Sequence, residues 1–107
     1  MDPRFDLASE DGAAVLRITG DLDIAVEDDA VAAVAAVLAT EPAPAHLVLD
    51  LSAVEFMDSS GLRALLRIHN RHGDQVRLGP VSAVVERLLE LTGTTDLFPP
   101  DERAAEA

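Results

Sequence analysis

Lysine is absent from this chain, and so are cysteine, tryptophan and tyrosine. Each gap closes off some chemistry. Without cysteine there is no disulfide framework, no thiolate nucleophile and no cysteine-ligated zinc or iron–sulfur centre. Without lysine there is no phosphate-loop lysine, no Schiff base and no lysine general base. Positive charge is scarce as well: eight arginines face twenty acidic residues, a formal net charge of −12. So acidic a chain is a poor partner for nucleic acid, whose phosphates need a clustered positive surface, and for an anionic membrane. No apolar run approaches the ~18–20 residues that span a bilayer, and the polar, acidic start Met1 to Gly12 does not read as a secretion signal. A cytoplasmic protein with no membrane or nucleic-acid partner is the expectation.

What is present is enough to fold. The 107 residues fit one domain, and a chain of this size buries roughly 65% of its unfolded surface. Its hydrophobic fraction of 49% argues against disorder despite the charge. Short β-type runs alternate with longer helical ones. Arg4 to Ala8 and Ala14 to Thr19 read as a hairpin around Glu10-Asp11-Gly12, and Gly20-Asp21-Leu22-Asp23 breaks the pattern. A helix is expected from about Glu27 to Ala39, its apolar face Ala30, Val31, Val34, Val37 and Leu38. His46 to Leu51 is apolar enough for a buried central strand. After a loop from Ser52 to Phe56, a second helix is expected from about Ser60 to His72 and a strand from Gln75 to Leu78. Gly79-Pro80 then turns the chain into a third helix, Ser82 to Thr92, with Ser82 as N-cap and Gly93 as C-cap. Asp96 to Phe98 is a possible last strand. The order predicts an α/β domain with a mixed sheet.

The chemically suggestive stretch is Phe56-Met57-Asp58-Ser59-Ser60-Gly61-Leu62. Two adjacent hydroxyls stand where a loop hands over to a helix, whose first turn offers free N–H groups and positive dipole density. A serine here could cap the helix, accept a phosphoryl group or act as a nucleophile. The nucleophile reading lacks the Gly-x-Ser-x-Gly frame, since Met57 stands two before Ser59, and it lacks an evident histidine partner. Local chemistry leaves the other two open, with capping worth ~1 kcal/mol.

The run Phe56-Met57-Asp58-Ser59-Ser60-Gly61-Leu62-Arg63-Ala64-Leu65-Leu66 resembles the signature of STAS domains, specifically bacterial anti-sigma factor antagonists. Gly20-Asp21-Leu22-Asp23, Val48-Leu49-Asp50-Leu51 and Ser82 through Gly93 resemble further family elements in the same order. The chain departs from the pattern at Ala83, where proline often follows the serine, and at Thr94-Thr95. The resemblance implies a single STAS-like domain with a mixed four- to five-stranded sheet and helices mainly on one face. Its core would be about residues 5–98, and residues 99–107 a flexible acidic tail. It also implies a monomeric binding module that is not an enzyme and carries no cofactor. Its partners would be an anti-sigma factor that is also a serine kinase of the GHKL type, and a metal-dependent Ser/Thr phosphatase. By position the phosphoacceptor is Ser59, with Ser60 the minor alternative. Asp21, Asp23, Asp58, Ser60, Gly61, Leu62, Arg63 and Arg67 would line the partner surface. A regulatory subunit of a lipid-trafficking transport ATPase, working without phosphorylation, is the alternative within the family.

Arg63, Arg67 and Arg71 recur at every fourth position, opposite the apolar Leu62, Leu65, Leu66 and Ile68. They form a basic stripe that either pairs with the protein's own acids or docks an acidic partner. His69 is expected to be a partly buried, hydrogen-bonded core residue, because a metal role with His72 lacks further ligands nearby. The acids Asp21, Asp23 and Asp58 invite comparison with a phosphoacceptor-aspartate receiver domain, but such a domain needs a lysine that this chain does not have.

Overall fold

A computed structural model of the chain describes residues 4–10 and 12–99. Strands β1 (Phe5–Glu10) and β2 (Ala13–Leu22) form the expected antiparallel hairpin, although Asp11 in its turn lies outside the described residues. Helix α1 (Glu27–Leu38) leads to β3 (Leu47–Met57), helix α2 (Ser59–His72) to β4 (Val76–Val81), and helix α3 (Ala83–Thr92) follows. The sheet order is β1-β2-β3-β4, with β2, β3 and β4 mutually parallel. Among the described residues there are four strands, three α-helices and one short 3-10 turn, Gly73–Gln75, between α2 and β4.

All three helices bury their apolar stripes against one face of the sheet. Ala30, Val31 and Val34 of α1, Ala64, Leu65 and Ile68 of α2, and Val85 and Leu89 of α3 pack with Leu16, Ile18, Leu22, Leu47, Leu49, Leu51, Val54 and Met57 of the strands. The opposite face carries only a small cluster of Ala13, Val15 and Val48. Helix α3 is bounded as expected. The Ser82 hydroxyl accepts from the Val85 N–H at 3.5 Å, and Gly93 closes the helix at φ +68°, a left-handed conformation that suits glycine.

Several expected boundaries give way to longer strands. Ser52 to Phe56 is not a loop, because β3 runs on to Met57. Its core-facing residues are Leu47, Leu49, Leu51, Val54 and Met57, so the period of two lapses after Leu51. Register irregularities against β4 between Leu49 and Leu51, and against β2 between Arg17 and Thr19 and between Gly20 and Asp21, absorb the extra residues. For the same reason β2 continues through Gly20 and Asp21 to Leu22. Gly79-Pro80 lies inside β4, where the edge position tolerates a proline without a ladder N–H. Asp96 to Phe98 forms no strand. Instead Phe98 is buried, and the Leu78 N–H donates to the Pro99 carbonyl at 3.0 Å, so the chain end still lies along β4. The expected flexible tail falls, from residue 100 onward, outside the described residues.

Candidate functional site

Strands β2 and β3 end side by side. Asp21 pairs with Phe56 and Leu22 with Met57, so both chains leave the sheet at its C-terminal edge, where an α/β fold opens its binding crevice. After β2, the Asp23 carboxylate accepts from the Ala25 N–H at 3.0 Å, and the Asp23 carbonyl accepts from Val26 and Glu27 at 3.0 Å each. Asp23 is therefore the turn that starts α1. Asp21 is exposed on the last ladder rung but one.

After β3, Asp58 caps α2. Its Oδ1 accepts from the Ser60 N–H at 2.9 Å and the Gly61 N–H at 3.2 Å, and its carbonyl accepts from Leu62 at 3.0 Å. The capping role considered for Ser59 thus belongs to Asp58. Ser59 becomes the first helical residue, exposed, and its hydroxyl makes no hydrogen bond among the described residues. Ser60 is half-buried.

Gly61 is buried, not part of a reachable surface. A Cβ there would collide with the Leu22 carbonyl oxygen and come within 2.6 Å of the Met57 Cγ. Its role is to let the first turn of α2 settle onto the paired ends of β2 and β3. Leu62 likewise packs, partly buried, against the core.

Arg63 and Arg67 reach across to the start of α1. Arg63 Nε lies 3.0 and 2.9 Å from the two Glu27 carboxylate oxygens and its Nη2 lies 2.7 Å from Oε1. Arg67 Nη1 bridges Glu27 at 2.9 Å and Asp28 at 2.8 Å. The Glu27 side chain keeps only 8% of its exposure, against 57% for Arg63 and 43% for Arg67. Hydrogen bonds from Arg63 lower the Glu27 carboxyl to about 2, against the opposing effect of burial and with further help from Arg67. The pairing raises Arg63, chiefly through Glu27, and Arg67, chiefly through Asp28. The first two arginines of the stripe thus clamp α2 to α1, and the third, Arg71, stands exposed two turns beyond Arg63.

The edge carries one feature that sequence reasoning missed. Ile24 is 73% exposed and Phe56 47%, the one following Asp23 and the other opposite Asp21. Ile24 and Ser59 each stand two residues past the paired Leu22 and Met57. Nothing in the sequence marks Ile24 and Phe56 in advance, since each stands among apolar neighbours that the fold buries, Leu22 and Val26 around Ile24, and Val54 and Met57 around Phe56. Two shallow grooves of about 510 and 520 Å³ lie elsewhere, along β1 and α1, and neither is lined by Asp58 or Ser59.

His69 is half-buried with its ring edge-on to Phe98, centroids 5.7 Å apart. The expected hydrogen bond is missing, because Nδ1 is buried with no partner among the described residues. His72 is lowered by burial and by the neighbouring Arg71. Among the described residues no cluster of histidine and acidic side chains could hold a metal ion, and no helix is long and apolar enough to cross a membrane.

Comparison with known proteins gives a consistent result. The family model described as STAS domain matches residues 4–107. A Mycobacterium tuberculosis protein named anti-sigma-F factor antagonist RsfB is 36% identical over 94 residues, covering 86% of this chain and 75% of that one. The crystal structure of an anti-sigma factor antagonist from Mycobacterium paratuberculosis superposes with a TM-score of 0.75 at 30% identity, over 90% of this chain and 82% of the other. The anti-sigma factor antagonist SpoIIAA in its unphosphorylated form shares the fold, with a TM-score of 0.63 at 24% identity over 95% and 93% of the two chains.

Proposed function

The chain belongs to the STAS domain family, and from that membership we propose that it is an anti-sigma factor antagonist whose binding is switched at Ser59. The observation that carries the reading is the free hydroxyl of Ser59. Asp58 performs the capping, so Ser59 is left exposed and without a structural task at the edge where Ile24 and Phe56 offer apolar contact. In the unmodified state this edge, with Asp21, Asp23, Asp58, Ser60 and the exposed part of Leu62, docks the anti-sigma factor and frees the sigma factor. Asp58 and Asp23 act there mainly by holding the two turns in shape.

The anti-sigma factor is also the kinase, of the GHKL type. The Ser59 oxygen attacks the γ-phosphorus of ATP, ADP leaves and the hydroxyl proton passes to a base of the kinase. A metal-dependent phosphatase returns the serine by hydrolysis. Phosphoserine carries roughly −1.5 to −2 charges at pH 7. Within its own fold it gains ~0.3–1 kcal/mol from the helix N-terminus, so the domain needs no rearrangement. Against a partner surface shaped for a neutral hydroxyl the same charge is desolvated, at a cost of roughly 3–5 kcal/mol. Since 1.4 kcal/mol is about tenfold in affinity, the loss is about a thousandfold.

The test is to incubate the protein with each anti-sigma kinase of its own genome and ATP, then locate phosphate by mass spectrometry. Phosphate on Ser59 and none on Ser59→Ala is expected, together with loss of binding by Ser59→Asp. Absence of phosphate with every such kinase, or wild-type affinity in Ser59→Asp, overturns the reading.

A further inference from the structure

Ser59 and Arg63 are four residues apart on α2, one turn along the same face. Helical side chains lean toward the N-terminus of their helix, so Arg63 leans toward the Ser59 turn. Its guanidinium is held on one edge only. Nε and Nη2 serve Glu27, while no described residue accepts a hydrogen bond from Nη1, and more than half of the side chain is exposed. Glu27 is nearly enclosed, bound by Arg67 as well, and so fixed in place. A guanidinium whose orientation is set by a buried carboxylate, with its second edge free, is a preorganised fork for a phosphoryl group.

We propose that Arg63 receives the phosphoryl group of a phosphorylated Ser59 through Nη1 and the second hydrogen of Nη2, while Glu27 keeps Nε and the rest of Nη2 and positions the fork. This rests on the reading of Ser59 as the phosphoacceptor and adds the residue that holds its phosphate. Asp58, the cap residue next to Ser59, is the smallest of the contributions that raise Arg63, after those of Glu27 and Asp28. Glu27 need not release Arg63, so the α1–α2 clamp survives modification. Glu27 is a positioning residue here and touches no phosphate.

The test places phosphoserine at position 59 during translation, so that no kinase is needed, and follows its titration by phosphorus NMR. The second ionisation, ordinarily near pKa ~6, is lowered in every version by the helix N-terminus. It is expected to fall by a further ~0.5–1 unit in the otherwise wild-type protein because of the adjacent guanidinium. That extra shift should vanish in Arg63→Gln. It should also vanish in the double variant Glu27→Gln/Arg63→Gln, which leaves no unpaired buried charge and keeps the net charge unchanged. Arg71→Gln should retain it. Equal titration of wild type and the double variant overturns the proposal, as does a loss in Arg71→Gln matching that in Arg63→Gln, which would mean a diffuse field in place of a contact. Neither result bears on whether a kinase uses Ser59, so this proposal and the switch itself fail separately.

Discussion

At the residue scale, the turn before α2 divides its labour between neighbours. Asp58 supplies the oxygen that satisfies two orphan N–H groups, and Ser59 supplies a hydroxyl with nothing to do in the fold. Their removal should therefore be unequal. Asp58→Ala is expected to cost ~1 kcal/mol, the usual worth of an N-cap, whereas Ser59→Ala at an exposed first helical position should stay within about 0.5 kcal/mol. Urea denaturation of the two variants checks this, and an equal loss from Ser59→Ala would return the capping role to that serine. The sequence alone left both roles open, because Asp and Ser are comparably good caps and stand adjacent. Only the backbone shows which oxygen faces the Ser60 and Gly61 N–H groups. Gly61 is expected from the sequence on the partner surface, whereas in the fold it is buried, with the Leu22 carbonyl where a Cβ would stand.

At the element scale, α1 and α2 are joined through a carboxylate that the sequence offers only as a favourable charge in a helix's first turn. Glu27 and Arg63 are 36 residues apart, so no local pattern pairs them. The every-fourth-residue arginine stripe was legible, but its targets were not. Strand lengths were misjudged for a related reason. Alternation identified the cores of β2 and β3, yet bulges shift the phase, and a phase shift looks like a loop until the neighbouring strand is known. The hairpin, the three helices and the caps of α3, which depend on local chemistry, were readable. The clamp has a pH signature. The Glu27 carboxyl, 4.5 when unpaired, is lowered to about 2 in the fold. As pH falls below about 4.5 the unfolded chain takes up a proton that the folded chain refuses. The clamp's contribution is thus complete above that pH and is lost progressively down to about pH 2. Glu27→Gln keeps the shape but cannot ionise, so its melting temperature should decline less steeply than the wild type's between pH 5 and about 2. Parallel curves would mean that Glu27 is not held by its arginines.

At the scale of the whole molecule, the net charge of −12 offers a rival account of the switch proposed at Ser59. A more acidic protein could simply be repelled from an acidic partner, with no special role for the place where charge is added. The arithmetic disfavours that account: phosphorylation adds at most about two charges to a molecule already strongly negative, and spreads no new charge over its 36 × 31 × 24 Å body. The local account places the added charge at the edge where Ile24 and Phe56 are exposed, in a contact that excludes water. The two accounts respond differently to salt. The screening length shrinks from ~10 Å at 0.1 M to ~3 Å at 1 M, which removes long-range repulsion between exposed charges and leaves a buried charge largely unscreened. The affinity of unmodified and Ser59-phosphorylated protein for the anti-sigma factor should therefore differ about a thousandfold at 0.1 M salt, and by at least about a hundredfold at 1 M. Calorimetry or surface binding at the two salt concentrations measures that ratio. Near-equal affinities at 1 M would assign the switch to the acidity of the whole molecule, while a ratio that persists assigns it to one desolvated phosphate at the head of α2.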